Sequence, residues 1–423
     1  MSAISFGSRA QVTTFLQKID DATVGNKDGI VGNEQLPAGV VGGGPAGGIF
    51  EKNPILFALK QNLAAGWSKA DENEKLGVFL QATEKTFGGP VTTLARPAHV
   101  DVEAWNAFRL DKAIHLVRVG KTPADVSDHV VKASGTVDGN LIAPRDLFVQ
   151  RVAPQGTPTG QTLILSPGFL ETGRNHLEQA ELLSKQGHAV VVLDHQWAGL
   201  SQGDRGGIDR GFGIARDVAA VAAWAHAQNP HDKLTLVGTS MGGGAGAFGA
   251  ALMNDLGKIV LDGPAMPKAL DCILQGPFFA RTKSIPNDAL AVAGVIDGLK
   301  EIPLPAMGLP ILSGDQATLR KLAAHATTEQ LSGRGQAFHA STTDLATMRR
   351  YVENGAQTQG RVYVIHAEHD TLADFQATKD WVALLGQQAT LQPLKGSTSH
   401  VIAENPSEQN EILKGITWLS RAN

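Results

Sequence analysis

Residues 238–242 read Gly-Thr-Ser-Met-Gly, the G-x-S-x-G pattern in which a serine stands between two glycines. The string gains chemical meaning from its surroundings. It follows the short apolar run LTLVG and precedes GGGAGAFGAALM, a small-residue stretch able to start a helix pressed against a sheet. A strand, a sharp turn and a helix in that order project a strained serine hydroxyl outward. Glycines flank it because side chains there would collide with the neighbouring strand and helix. The plainer reading is a glycine-rich helix cap carrying an ordinary serine.

A serine hydroxyl is a poor nucleophile near neutral pH, so Ser240 needs a base within hydrogen-bond reach and an acid to orient that base. In chain order the acid follows the serine and the histidine comes last. Asp370, in RVYVIHAEHDTLAD, falls just past an apolar run, and His400, in LKGSTSHVIAENP, falls in a polar loop before the last helical pattern. Asp262, ending IVLD, is a second candidate for the acid. The plainer reading of His400 is a surface-loop histidine. An oxyanion developing on a carbonyl would be held by main-chain N–H groups. Met241, directly after the serine, supplies one, and Phe169, behind Gly168 in SPGFLE, is the candidate for the other; the Phe169 side chain reads equally as a hydrophobic wall. His366 and His369 lack the spacing that puts two metal-binding histidines on one helix face, so they read as a strand-end and a loop residue.

The elements that would position these groups follow from periodicity. The segments AIHLVRV, HVVKASGTV and LFVQRVA, the last two separated by the turn-prone DGN at Asp138–Asn140, read as antiparallel strands. TLILS, AVVVLD, LTLVG, IVLDG and RVYVIH are continuous apolar runs, as expected of strands buried on both faces. Helical patterns such as HLEQAELLSKQG and ARDVAAVAAWAHAQN lie between them, which predicts a mostly parallel α/β sheet with right-handed crossovers. The expected division is an N-terminal segment over 1–50 ending in the glycine-rich linker 39–48, and a helical extension over 51–110. The core would comprise 111–263 and 360–423, with a cap inserted over 264–359, where EIPLPAMGLP breaks the rhythm.

Composition narrows the function. With 37 basic and 41 acidic side chains among 423 residues, a net charge of −4 gives no electrostatic reason to expect nucleic acid. No apolar stretch is long enough for a membrane span, and MSAISFGSRAQVTTFLQ has neither the basic start nor the apolar core of a secretory signal. The expectation is a cytoplasmic enzyme or one exported by a specialised route. Cys272 is the single cysteine, which excludes an intrachain disulfide. In the first segment, Asp21, Asn26, Asp28 and Glu34 with Gly29 suggest a calcium loop. In the standard EF-hand register, however, the end positions fall on Val24 and Gln35, which carry no carboxylate. A solvated turn with helix-capping side chains is the alternative.

From about Asp138 onward the chain resembles the α/β-hydrolase superfamily, and within it the monoacylglycerol lipase, lysophospholipase and serine aminopeptidase group. The likeness rests on LSPGFLETGRNHLEQAELLSKQGHAVVVLDHQWAGLSQGDRGGIDR, with Asp194, Gly199 and Ser201 matching D-x-x-G-x-G-x-S. It rests also on LTLVGTSMGG, on IVLDGPAM and on SHVIAENP with Glu404. Departures are Pro167 where a histidine usually opens the oxyanion motif, His195-Gln196-Trp197-Ala198 in place of H-R-G-H, and Thr239 where histidine usually precedes the serine. The resemblance implies a sheet flanked by helices with an inserted cap. It also implies a serine hydrolase acting without a cofactor on an ester of a hydrophobic acyl group, with lipid contact through the cap. A serine aminopeptidase is the alternative; it would need an acidic cap pocket for the substrate amine, with Asp288, Asp297 and Glu301 available. A further alternative is a binding protein that keeps the fold without turnover.

Overall fold

The computed structural model describes residues 72–168, 171–196, 198–203, 212–254, 258–263, 270–278, 349, 360–370, 373–397 and 406–421. The chain divides after Asp128 into two compact units. In the first, α1 (Glu72–Phe87) and α2 (Val102–Val119) are joined by an ion pair between Glu84 and Arg109 at 2.6 Å. Lys112 pairs with Asp128 in the interior, where burial lowers the lysine pKa.

The segment AIHLVRV, expected as a strand, is the last part of α2. Its boundaries explain why. Asp101 caps the start by accepting from the Ala104 N–H at 2.7 Å, and Gly120 ends the helix in the left-handed conformation at φ 71°. Buried Trp105, Phe108, Lys112 and Leu116 recur at helical spacing, a period that the seven-residue window cut in half. The expected boundary at 110/111 therefore falls inside a helix.

In the second unit the described residues form one sheet, ordered β6-β1-β2-β4-β3-β5-β7-β8-β9. The strands are β1 (Val126–Val137), β2 (Asn140–Val152), β3 (Gln161–Ser166), β4 (Ala189–Leu193), β5 (Lys233–Thr239), β6 (Ile259–Leu261), β7 (Asp271–Gln275), β8 (Val362–Ala367) and β9 (Ala389–Leu394). From β4 across to β9 neighbouring strands run parallel, while β2 meets β4 and β6 meets β1 antiparallel. Asp138 and Gly139, at φ 49° and 77°, make the tight β1–β2 turn. Every residue of β4, β7 and β8 is buried, whereas β1 largely alternates. The helices are α3 (Leu177–Lys185), α4 (Phe212–Gln228), α5 (Ser240–Asn254), α6 (Phe375–Leu385) and α7 (Pro406–Ser420). Val, Leu, Ile and Ala dominate the core, and α4 meets α5 where a Cβ on Gly249 would sit 3.0 Å from the Ala215 carbonyl. Close packing of small residues replaces aromatic bulk here.

Two expectations about this sheet are corrected. IVLDG is not an interior parallel strand. Its Ile259–Leu261 pairs antiparallel with β1 at the outer edge, Thr136 opposite Val260, leaving Val260 51% exposed. The place beside β5 belongs instead to Asp271–Gln275, inside the stretch expected as a cap. Polar ends disguise this strand: Asp271 accepts the Arg361 N–H at 2.8 Å and pairs with Lys233 at 2.6 Å, so a carboxylate is tolerated at its edge. The described part of 264–359 thus includes a core strand, so Asp271–Gln275 belongs to the sheet and not to a cap.

Candidate active site

Strand β5 delivers Ser240 to the first position of α5, and the serine adopts φ 52°. Among the described residues only Asp138 shares such a positive φ without being glycine. This backbone conformation costs on the order of 1–3 kcal/mol and persists only where the surroundings enforce it. Here they do. A Cβ on Gly238 would lie 2.7 Å from the Gly243 Cα, and one on Gly242 would run into the Ser166 and Pro167 carbonyls. The main chain after β7 adds a restraint, with the Phe278 N–H donating to the Ser240 carbonyl at 2.9 Å. The Met241 N–H belongs to the first turn of α5, where no preceding helical carbonyl accepts it.

The loop after β3 lies directly against this turn: a Cβ on Gly168 would approach the Ser240 Cβ to 3.2 Å. Gly168 donates its N–H to Glu171 Oε2 at 2.5 Å, and the same oxygen lies 3.0 Å from His176 Nε2, with both side chains buried. The loop is therefore held by its own carboxylate. Phe169, expected to give the second oxyanion donor, lies outside the described residues.

Asp194 links the loops after β3 and β4. Its carboxylate accepts from Gly173 N–H at 2.7 Å and Leu200 N–H at 2.8 Å, and Ser201 Oγ donates to its carbonyl at 2.6 Å. Gly199, at φ 53°, leaves room that a Cβ would take from that carboxylate. The matched Asp, Gly and Ser are thus a scaffold rather than reacting groups. Ser166 Oγ donates to the Gly242 carbonyl at 3.2 Å, so it accepts from His195 Nε2 at 3.0 Å. Burial depresses the His195 pKa to about 4; the Pro167 carbonyl and Glu171 pull it upward and His176 downward, all less strongly. The imidazole is neutral and serves as a strut between β4 and the turn at Ser240.

Asp370 follows β8 and its side chain is fully buried. Its Oδ1 accepts the Ala373 N–H at 2.9 Å, and its Oδ2 lies 3.2 Å from His366 Nε2. Strand β8 is two places from β5, roughly 10 Å at the usual strand spacing. Asp262 is exposed and ends β6, five places from β5 on the other side, or roughly 24 Å. Strand β6 also runs against the parallel set, so its carboxyl end points to the opposite edge of the sheet. Of the two candidate acids, only Asp370 stands on the serine's side of the fold. His369 is exposed, its N–H donating to the Ser397 carbonyl at 3.1 Å. Cys272 is fully buried, and burial pushes its thiol pKa up, which leaves it inert.

His400 lies outside the described residues, as do Asp288, Asp297 and Glu301 and the calcium candidates Asp21, Asn26, Asp28 and Glu34. No helix among the described residues is long and apolar enough to cross a membrane. Sequence reasoning missed Glu171 and His176, and read His195 only as a departure from the family motif and His366 only as a strand-end residue. The available signals were an acid placed directly behind the loop motif SPGFL, and a histidine four residues before the acid in HAEHD.

A mostly parallel sheet flanked by helices, with a serine at positive φ between its central strand and the next helix, defines an α/β hydrolase. Residues 157–404, more than half of the chain, match the serine aminopeptidase S33 family, and the protein belongs to it. Among solved structures it is similar to a thermophilic esterase from Thermogutta terrifontis, with 18% identity and a TM-score of 0.50 over 69% of this chain and 99% of that one. An esterase from Rhodococcus sp. ECU1013 aligns at 17% identity and a TM-score of 0.46, over 69% of this chain and 99% of that one. A monoacylglycerol lipase from Paleococcus ferrophilus aligns at 20% identity and a TM-score of 0.42, over 64% and 98%. No curated protein sequence matches the chain significantly.

Proposed function

We propose that the protein is a serine hydrolase that cleaves a carboxylic ester of a hydrophobic acyl group through an acyl-enzyme. Ser240 Oγ attacks the carbonyl carbon while His400 takes its proton, and Asp370 holds the imidazole in the orientation this requires. The N–H groups of Met241 and Phe169 stabilise the oxyanion. The intermediate collapses as His400 passes the proton to the departing alcohol oxygen, leaving the acyl group on Ser240. Water, deprotonated by the same histidine, then releases the acid.

The observation that carries this reading is the enforced φ of 52° at Ser240, with Gly168 in van der Waals reach and glycines where any side chain would collide. A structural serine gains nothing from that strain. The ester preference rests on the likeness of the loop and turn motifs to the monoacylglycerol lipase and lysophospholipase group. Membership of the S33 family favours a second reading, aminopeptidase activity, in which cap carboxylates would hold a substrate amine.

Incubation with a fluorophosphonate probe, followed by peptide mapping, tests the nucleophile. Labelling at Ser240 is expected, and an unlabelled folded protein overturns the assignment. A panel of p-nitrophenyl esters of graded chain length set against aminoacyl-nitroanilides separates the two substrates. Cleavage of the anilides alone would replace the esterase reading by the peptidase one.

A further inference from the structure

We infer that His366 is a positioning residue for the acid of this site, holding the Asp370 carboxylate through a hydrogen-bond chain that begins at Thr378. The inference rests on the reading of Asp370 as the group that orients the base. His366 is the fifth residue of β8, fully buried, and its ring stands edge-on to Phe375 at 5.4 Å between centroids. Its two nitrogens face different partners. Nε2 lies 3.2 Å from Asp370 Oδ2 and 3.3 Å from the Ala373 carbonyl, while Nδ1 lies 2.9 Å from Thr378 Oγ1.

These partners assign the proton. A carbonyl and a carboxylate can only accept, so Nε2 carries the hydrogen. In the neutral ring Nδ1 is then an acceptor, and the Thr378 hydroxyl donates to it. The chain runs Thr378 O–H to His366 Nδ1, His366 Nε2–H to the Ala373 carbonyl and Ala373 N–H to Asp370, with Nε2 itself 3.2 Å from Asp370 Oδ2. The other carboxylate oxygen accepts the Ala373 N–H at 2.9 Å. Each oxygen of Asp370 thus lies against a nitrogen of β8 or of the loop that follows it, His366 Nε2 on one side and the Ala373 N–H on the other. With one restraint on each oxygen, the carboxylate plane cannot rotate freely. Its orientation decides whether the imidazole of the base is aligned with Ser240.

A histidine that merely fills space would be replaceable by any side chain of similar volume. A positioning histidine is replaceable only by one that donates at the same point. Methionine at 366 fills the volume without a donor, whereas glutamine carries an amide N–H to about the place of Nε2. The test measures kcat and KM on a p-nitrophenyl ester, and the rate of fluorophosphonate labelling, for His366→Met, His366→Gln and Thr378→Val, with each fold checked by its melting curve. His366→Met is expected to lower kcat and the labelling rate about 100-fold with KM little changed, as a misaligned reacting group does. His366→Gln should recover most of that loss. Thr378→Val, which keeps shape and removes the hydroxyl, should lower kcat about 5-fold because one member of the chain is gone.

Equal losses for the methionine and glutamine variants, or wild-type kcat in folded His366→Met, overturn the inference. Should His366→Met fail to fold, Thr378→Val decides alone: unchanged kcat in that variant overturns it. Failure of the underlying reading gives a different result, since wild-type protein would then not be labelled at Ser240 at all.

Discussion

Strands β5 and β6 read almost alike as sequence, LTLVG and IVLDG, yet their positions in the sheet differ completely. Strand β5 lies between β3 and β7, is buried on both faces and ends in Ser240. Strand β6 is a three-residue edge element paired antiparallel with β1, and ends in exposed Asp262. Apolar content was therefore a poor guide to position. What separates them is packing: β5 and the helix it leads into have glycines at 238 and 242–244 that admit neighbouring main chain, whereas β6 meets Gly135, at φ 138°, across the ladder. Interior strands of a parallel sheet direct their carboxyl ends to one common edge, where loops can converge on a ligand. An antiparallel edge strand has no such neighbours.

The comparison can be broken most sharply at the chemistry. Ser240→Ala is expected to abolish ester turnover, by about 10⁶-fold in kcat if the residue is the nucleophile. Retention of turnover in the purified variant would remove β5 from the mechanism. Next in size, Asp370→Asn should reduce kcat about 10⁴-fold by fixing the wrong tautomer of the base. Asp262→Asn, in the same assay, should stay within about 2-fold, as surface changes remote from a site do. Reversal of those two values would return the acid to β6 and contradict the strand order.

Stability supplies the smaller effects. His195, at the end of β4, is held neutral by burial, with its pKa lowered from 6.5 to about 4. A depressed folded-state pKa means that its contribution is complete above pH 6.5 and is lost as the pH falls through about 4. The size is about 3 kcal/mol at full loss. Urea titrations between pH 7 and 4 should show the decline, and His195→Gln should flatten it. At the edge, Gly135→Ala forces a Cβ into the Val260 carbonyl and a side chain into a positive φ. A loss of about 1–2 kcal/mol is expected by chemical denaturation, with ester hydrolysis preserved. A comparable loss of activity would mean that β6 supports the site after all.

How much of this was legible can be traced residue by residue. The turn at Ser240 was readable because strand, tight turn and small-residue helix are all local features, and the positive φ follows from them. Asp370 was readable as a position just past a buried strand, but not as a choice over Asp262, because the choice depends on the order and direction of the strands across the sheet. Strand β7 went unseen since its ends, Asp271 and Gln275, look like loop residues until Lys233 and Arg361 supply partners for the carboxylate. Helix α2 was obscured by the β-branched residues of VRV, whose strand preference yields to the caps at Asp101 and Gly120. The supports of the site, Glu171 under Gly168, His195 under Ser166 and His366 beside Asp370, carry only weak local signals, and their partners become visible only through tertiary contacts.

From sequence alone came the α/β class, the tight turn at Ser240, the loop carrying Gly168 and the family motifs, because each depends on residues within a few positions of one another. Tertiary structure decided the rest: the order of the strands, the separation of Asp262 from Ser240 across the sheet, and the hydrogen bonds that hold the loops against Ser240. Those depend on contacts between residues far apart in the chain, such as Ser166 with His195 and Asp194 with Gly173. Periodicity records which face of an element is buried, but not which element covers it.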